Sequence, residues 1–266
     1  MKIKFDLYPE GKHRAMTFSY DDGQNHDLRL AKIFDFNGMK ATFHLNGGML
    51  GDGAHLNKDE IKTALARHEI SCHTYTHPHL TAIPAEVLTE EMTADRQTLE
   101  EICGYPIRGM SYPYGDYNDA VIAHLGTLGM RYARTIKSTE YFRLPEDFMK
   151  WHPTCHHNNP RLFELLEKFK ANKYPLSLFY IWGHSYEFSR DDNWDLIEKF
   201  CTAAADDPDV WYATNIEIYD YIMALRALSF SADCTMVYNP TATDVWITAD
   251  ERPTRIAAGA VVHLNT

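Results

Sequence analysis

The fold class follows from one stretch near the N-terminus, HRAMTFSYDDG, which spans residues 13–23. This stretch is an apolar run of strand length that ends at an acidic turn, and it predicts a strand followed by a loop. Residues 28–36 have helical spacing and stop at Asn37-Gly38, a helix C-terminus signal, and residues 39–45 (MKATFHL) predict a second strand. A strand, a helix and a further strand in this order indicate a βαβ unit and a parallel sheet.

The same alternation continues along the chain. Further strands are predicted at 69–74, 130–135, 176–182 and 210–214, and helices at 57–67, 84–103, 119–128, 161–169, 194–205 and 217–228. Six or seven such units favour an α/β barrel over an open sheet, and we assign residues 1–228 to it. Short apolar runs at 235–238, 245–248 and 258–264, with an ERPTR turn at 251–255, predict a small β appendage over residues 229–266.

Composition excludes several classes of protein. The 266 residues include 45% hydrophobic and 24% charged side chains, which are ordinary values for a globular chain. The formal charge of −11 argues against a nucleic-acid interface and against binding to anionic membranes. No apolar window is long enough to cross a bilayer. We therefore expect neither a nucleic acid nor a membrane as a partner, and a homo-oligomer stays open.

The cysteines and the N-terminal residues indicate the cellular compartment in which the protein works. Five scattered cysteines without a CxxC pair predict a reduced chain without a disulfide framework. The first residues, MKIKFDLYPEGK, contain no apolar core of a signal peptide. The expectation is a cytoplasmic protein, with a secreted form as the alternative if a leader was trimmed.

Polar residues follow the predicted strands, where the chemistry of parallel α/β folds is found. Asp21 and Asp22 follow the first strand, and His73 and His77 follow the third. On a straight strand these two histidines would lie roughly 13 Å apart, too far to share an ion. If both bind a metal, His73 must end the strand and His77 must return on a loop, a geometry that suits Pro78. Two imidazoles and one carboxylate would form a metal triad, with the second carboxylate as a base.

Four segments of the sequence carry a family resemblance. TFSYDDG (17–23) and HEISCHTYTHPHL (68–80) resemble the first two motifs of the polysaccharide deacetylases, the NodB homology domain of carbohydrate esterase family four. SYPYG (111–115) is similar to the third motif, and FYIWGH (179–184) stands where the last motif ends in a histidine. The resemblance covers about residues 13–228. It implies a distorted (β/α) barrel and metal-assisted removal of N- or O-linked acetyl groups from a sugar.

The resemblance also implies roles for single residues. Asp22, His73 and His77 would hold one divalent ion, most simply zinc; Asp21 would be the general base, and His184 the general acid. Substrate contacts would come from three further residues, namely Pro113, Tyr114 and Trp151. The backbone N–H of Tyr114 would help to hold the oxyanion, and the indole of Trp151 could stack on a sugar ring.

The sequence departs from the family pattern at three places. Ser111 stands where the family has an arginine that steadies the base, and Arg108 is a candidate to replace it. The fourth motif keeps only Trp151 of its Asp-Trp pair. A glycine, Gly183, replaces the leucine that commonly precedes the last histidine, and Glu187 is a candidate partner for His184.

A second group of possible ligands lies between the third and last motifs. His152, Cys155, His156 and His157 stand close together around Pro153. Their position after a predicted strand favours substrate contact, and a second metal site is the alternative.

Three other functions stay open at this point. The same site could hydrolyse a non-sugar amide. Two histidines and one carboxylate also occur in non-haem iron oxygenases, although these have no evident need for Asp21 or His184. The chain could also be a sugar-binding relative that has lost activity.

Overall fold

A computed structural model describes residues 2–264 as an α/β barrel with additional β-structure. The strands are β1 Ile3–Lys4, β2 Arg14–Asp21, β3 Thr42–Leu45, β4 Glu69–Cys72, β5 Gly109–Ser111, β6 Tyr132–Arg134, β7 Cys155–His156, β8 Ser177–His184, β9 Val210–Tyr212, β10 Ser229–Phe230, β11 Met236–Tyr238, β12 Val245–Ala249, β13 Arg252–Ile256 and β14 Val261–His263. The helices are α1 Asp27–Phe36, α2 Lys58–Ala64, α3 Ala85–Cys103, α4 Asp119–Thr127, α5 Leu162–Lys170, α6 Ser185–Arg190, α7 Trp194–Ala204 and α8 Asn215–Arg226. No helix within residues 2–264 is long and apolar enough to cross a lipid bilayer.

The central sheet is parallel, with the strand order β6-β5-β4-β3-β2-β8-β7, and β9 also pairs with β2. Strand β2 pairs along its whole length with β8, from Arg14 beside Ser177 to Asp21 beside His184. Every residue of β2 is buried, because helices cover the outer face of the sheet and side chains fill the inner face. The predicted α/β barrel of about seven parallel strands is confirmed.

A short crossing segment, residues 151–156, joins the two outer strands of this sheet. Trp151 forms a parallel bridge with Arg134 on β6, and its main chain exchanges hydrogen bonds with Ala133 and Thr135. Four residues later, β7 begins at Cys155 and pairs with β8. The curled sheet is therefore closed by main-chain contacts of one segment.

The C-terminal strands form two antiparallel sheets of three strands, with the orders β1-β12-β13 and β10-β11-β14. The first of these sheets takes β1 from the N-terminal end of the chain. Val237, Val245 and Ile256 bury their side chains in the same cluster as Tyr221 of α8. The expected short strands are present, and the division of the chain at residue 229 stays a prediction.

Several elements differ from the sequence expectations. Strands β5 and β7 have three and two residues, too few for an alternating pattern to predict them. The ERPTR stretch is not a turn, because residues Arg252–Ile256 form strand β13. The turn lies just before it, where Asp250 and Glu251 have φ values of 45° and 66° and join β12 to β13 as a two-residue hairpin.

Helix α3 packs on the sheet behind β4 and has an apolar stripe. Its buried residues follow one another at intervals of three or four, namely Leu88, Met92, Asp95, Leu99 and Ile102. Asp95 lies in the same stripe and is also fully buried. A carboxylate in this position needs hydrogen-bond donors from the sheet side, and it finds them at the candidate site.

Candidate active site

The carboxyl end of β2 supplies the two acidic residues of the site. Asp21 ends the strand, with His44 and His184 as its register partners on β3 and β8. Asp22 follows in the left-handed region, with φ of 79°, so the two carboxylates leave the chain in different directions. Gly23 also has positive φ, and a Cβ there would lie 2.8 Å from the side chain of Leu45. The turn after β2 therefore requires glycine at this position.

His73 and His77 come together on a loop after β4. His73 directly follows β4, and the two Nε2 atoms lie 3.1 Å apart. Asp22 Oδ1 lies 3.5 Å from Nε2 of His73 and 3.6 Å from Nε2 of His77. This geometry confirms the expectation that His77 returns on a loop. The three side chains form a group that could hold a metal ion.

Buried polar groups hold this loop in place. The Asp95 carboxylate accepts hydrogen bonds from the backbone N–H groups of His73, at 3.0 Å, and Gly47, at 2.6 Å. The side-chain amide of Asn46 donates to the carbonyl oxygens of His73 and Thr74 at 2.7 and 2.8 Å. Thr74 and His77 have φ of 67° and 61°, so these bonds maintain a backbone conformation that non-glycine residues rarely adopt.

The tautomer of His73 follows from its contacts with Ser111. Nδ1 of His73 lies 2.7 Å from the hydroxyl oxygen and 3.0 Å from the carbonyl oxygen of Ser111. The serine hydroxyl donates to Asp21 Oδ1 at 3.0 Å, so it accepts from a protonated Nδ1. The lone pair of Nε2 then faces Asp22 and His77. Burial and the nearby imidazole of His73 lower the pKa of His77 to about 4, which keeps the ring neutral. Two imidazoles and one carboxylate are donor types that fit a divalent metal ion.

Arg134 pairs with the second acidic residue, Asp21. Its guanidinium leaves the end of β6, contacts Asp21 Oδ2 and stacks on Trp182 with 4.4 Å to the ring centroid. Burial raises the pKa of Asp21, but the charge of Arg134 opposes burial, and the net effect of its surroundings holds the pKa below its usual range. Asp21 is therefore ionised at neutral pH.

Arg108 is not the missing arginine. Its guanidinium makes two hydrogen bonds to the carboxylate of Asp220, at 2.8 and 2.6 Å, on a partly exposed surface. The expectation for Arg108 is therefore wrong. Arg134 reaches Asp21 from β6, the strand next to that of Ser111, while Ser111 fills the position from which the family arginine would come.

His184 ends β8 on the opposite side of Asp21 from β3. Its Nδ1 lies 3.6 Å from Oε1 of Glu187, one turn along α6. Burial lowers the pKa of His184, but the carboxylates of Glu187, Asp21 and Asp22 outweigh it, and the net shift is upward. Glu187 is thus the neighbour that the sequence suggested for this histidine.

Tyr114 and Pro113 lie beside the two histidines. Tyr114 is 56% exposed, has φ of 57°, and its ring stacks on His79 at 4.0 Å and meets His77 edge-on at 4.5 Å. Pro113 is buried beneath it. The exposed tyrosine face is accessible to a ligand at the candidate metal group.

Trp151 does not lie at an accessible surface. It is 1% exposed, and its ring packs edge-on against Tyr132, Phe148 and Tyr180. A buried indole cannot stack on a sugar ring, so the predicted substrate contact of Trp151 is corrected to a role in the core and in barrel closure.

The cluster around Pro153 separates into different environments. Nδ1 of His152 lies 2.6 Å from the Thr135 hydroxyl, apart from the other histidines. Cys155 is buried in the core. His156 and His157 both approach Glu187, at 3.0 and 3.2 Å. Burial, together with the neighbouring imidazole of His156, lowers the pKa of His157 to about 3.

Three residues of the site were not found from the sequence, namely Asn46, Asp95 and Arg134. Asp95 had a signal, since a carboxylate within an apolar helical stripe needs an explanation. Arg134 had a similar signal, since it is the charged residue of a short buried strand. No sequence pattern indicated Asn46, because its role depends on how the loop that follows β4 folds over it.

Comparison with known proteins agrees with this geometry. A model of the polysaccharide deacetylase family matches residues 9–133. A chitin deacetylase from Pestalotiopsis sp is 33% identical over 116 residues, which cover 43% of this chain and 38% of that protein. Over these residues the chain is similar to the polysaccharide deacetylase family. A probable peptidoglycan-N-acetylglucosamine deacetylase from Arthroderma benhamiae is 30% identical over 116 residues, 43% of this chain and 26% of that protein. The match thus spans well under half the length of these curated relatives.

Solved structures show that the fold extends beyond the matched segment. A polysaccharide deacetylase-like structure from Mycobacterium smegmatis aligns with a TM-score of 0.62 at 18% identity, over 85% of this chain and 96% of that one. A family 4 carbohydrate esterase from Streptomyces lividans, solved with acetate, aligns with a TM-score of 0.52 at 15% identity, over 75% and 91% of the two chains. At these identities the likeness shows the barrel fold alone.

One structural neighbour limits what the fold implies. A family 4 pseudoenzyme from Bacillus anthracis aligns with a TM-score of 0.50 at 16% identity, over 81% of this chain and 68% of that one. Active and inactive proteins therefore share this deacetylase barrel, and function has to be argued from the side chains.

Proposed function

We propose that this protein is a metal-dependent hydrolase that removes N- or O-linked acetyl groups from a carbohydrate. The observation that carries the proposal is the convergence of Asp22, His73 and His77 beside a second carboxylate, Asp21, which Arg134 keeps ionised. The motif resemblance and the family match support the acetylated sugar as the substrate class. Zinc is the proposed ion, because imidazole and carboxylate donors suit it.

Asp22, His73 and His77 are the proposed ligands. A divalent ion held there would polarise the acetyl carbonyl and lower the pKa of a water molecule toward about 7. Asp21 is the proposed general base: its carboxylate is ionised and fixed between Arg134 and Ser111, and it would accept a proton from the attacking water.

His184 is the proposed general acid. The carboxylates around it raise its pKa, so a larger fraction of the imidazole is protonated near neutral pH and can donate to the leaving nitrogen or oxygen. The backbone N–H of Tyr114 would donate to the oxyanion of the tetrahedral intermediate. The exposed ring of Tyr114 would contact the sugar, with Pro113 shaping the loop beneath it.

The test compares acetate release by wild type and Asp21→Asn from N-acetylated chitooligosaccharides and an O-acetylated oligosaccharide, with bound metal measured in both. We expect Asp21→Asn to keep its metal and to lose about 10²–10⁴-fold in turnover. Asp220→Asn is the matched control, since it breaks the surface pair with Arg108 and should stay active. Thermal melts show whether each variant is folded.

Other outcomes would overturn parts of the proposal. Unchanged turnover in Asp21→Asn would remove the role of Asp21. Tightly bound iron with oxygen-dependent chemistry would favour an oxygenase. A folded, metal-loaded wild type that releases no acetate from either sugar, and hydrolyses a non-sugar amide instead, would move the activity to that substrate class. Sugar binding without turnover would make the chain a binding relative.

A further inference from the structure

A second group of metal-type donors lies on the other side of His184. His156 and His157 follow one another at the end of β7, and Glu187 projects from α6. Nε2 of His156 lies 3.0 Å, and Nε2 of His157 3.2 Å, from Oε2 of Glu187. One donor atom from each of the three residues falls within 4.8 Å of the others. None of these residues is a proposed ligand of the first ion.

Gly183 makes this arrangement possible. A Cβ at residue 183 would lie 2.0 Å from Nδ1 of His157, so the imidazole occupies the space that any other side chain would need. The ring is held between Phe188, at 4.1 Å and nearly parallel, and Tyr20, at 5.7 Å. Packing against residues of the barrel wall therefore fixes the position of the His157 ring.

Two of the three donor atoms of the cluster are buried without a hydrogen bond. Among residues 2–264, Nδ1 and Nε2 of His157 and Oε2 of Glu187 are buried and have no hydrogen-bond partner. His157 is 0% exposed, so its ring nitrogens are not in contact with bulk solvent. Buried polar atoms normally have a partner, and leaving one unpaired costs roughly 1–3 kcal/mol. Nε2 of His157 and Oε2 of Glu187 lie 3.2 Å apart without a hydrogen bond between them, so one partner that contacts both atoms would satisfy both.

We propose that His156, His157 and Glu187 bind a second divalent cation of the zinc class. Two imidazole nitrogens and a carboxylate oxygen are the donor types of three-ligand zinc sites, which leave a fourth position for water. The side chain of His156 is 24% exposed, so an ion can enter from that side.

The second site would act on the first through Glu187. Oε2 of Glu187 faces the histidine pair, while Oε1 lies 3.6 Å from Nδ1 of His184. A cation on Oε2 would fix the carboxylate and thereby the orientation of the proposed general acid. Glu187 is thus a positioning residue for His184 as well as a ligand.

The test counts zinc per chain by mass spectrometry after incubation with excess zinc and removal of loose ions by gel filtration. Wild type should hold two zinc ions, and His156→Ala and Glu187→Gln one each. Asp22→Ala should also hold one, since it removes only the first site. His152→Ala is the matched control: it deletes a neighbouring histidine outside the group and should keep both ions. Thermal melts exclude unfolded variants.

The variants separate this inference from the proposed function. If Asp22→Ala holds no zinc while His156→Ala holds as much zinc as wild type, the second site is overturned and the first site stands. If Asp22→Ala holds as much zinc as wild type while His156→Ala holds none, the result supports the second site and counts against the first. A wild type that binds no more zinc than His156→Ala overturns the second site.

Discussion

The guanidinium of Arg134 and the carboxylate of Asp21 form a buried ion pair between the carboxyl ends of β6 and β2, strands that are four positions apart in the sheet. Arg134 thus spans the barrel interior to reach Asp21. Both side chains are almost fully buried, so the pair is poorly screened by solvent. Its main effect is to keep Asp21 charged in a site where burial alone would favour the neutral acid.

Arg134→Gln should therefore change the pH dependence of activity. Without the guanidinium the pKa of Asp21 rises, and the acidic limb of the rate profile moves to higher pH. Breaking a buried pair by removing one partner should also lower the free energy of unfolding by about 3–5 kcal/mol. Acetate release against pH, with urea unfolding of the same variant, measures both effects. Arg108→Gln removes an arginine from a partly exposed pair and should leave the acidic limb where it is.

Asp95 should control metal affinity without touching the ion. Its carboxylate fixes the backbone of His73, so Asp95→Ala releases a proposed ligand from its position. We expect zinc affinity to fall about 10–100-fold, as is usual when support behind a ligand is lost. Competition with a chelator of known affinity measures this. Glu90→Ala changes an exposed carboxylate on the same helix and should have no effect; equal affinities for wild type and Asp95→Ala would contradict the role.

The sequence-based predictions agree with the structure for site residues that lie close together along the chain. The Asp21-Asp22 pair and the return of His77 were predictable, because a strand end and a four-residue spacing leave few geometries. The partner of Asp21 was not predictable, because Arg134 is 113 residues away and which side chain reaches the carboxylate depends on the strand order. Trp151 was misplaced for the same reason: whether an indole faces a sugar or the core depends on packing by Tyr132 and Tyr180.

Glu69 should make stability depend on pH, away from the site. Burial raises the pKa of its carboxyl from the ordinary 4.5 to about 7, although Tyr132 and Thr42 donate hydrogen bonds to it. A pKa raised on folding contributes stability that is fully present below the unfolded pKa and is lost as pH rises through the folded pKa. The free energy of unfolding should thus fall by roughly 1–3 kcal/mol between pH of about 4.5 and about 7.

Urea unfolding across this pH range, for wild type and Glu69→Gln, isolates that contribution. The variant has no ionisable group at this position, so its stability should fall less over the same window. An identical fall in both proteins would assign the pH dependence to other groups.

Gly183 and His157 should be energetically coupled. Gly183→Ala puts a methyl group into the imidazole of His157 and should cost about 1–3 kcal/mol. In a His157→Ala background the same substitution should cost far less, because the ring is gone. A double-mutant cycle by urea unfolding measures the coupling. Gly126→Ala is the control: a Cβ there has no neighbour within 4 Å and sits in a helix, so it should be neutral or stabilising.

The close contact between residues 183 and 157 also predicts how these two positions vary among relatives. A glycine before the strand-end histidine is useful only while an imidazole fills the gap, and the imidazole fits only while the glycine is there. The two positions are expected to change together among relatives, with Glu187 following them. Sequences that carry all three residues would then form a recognisable subgroup, and those with a larger residue at the position of Gly183 should have lost the histidine pair.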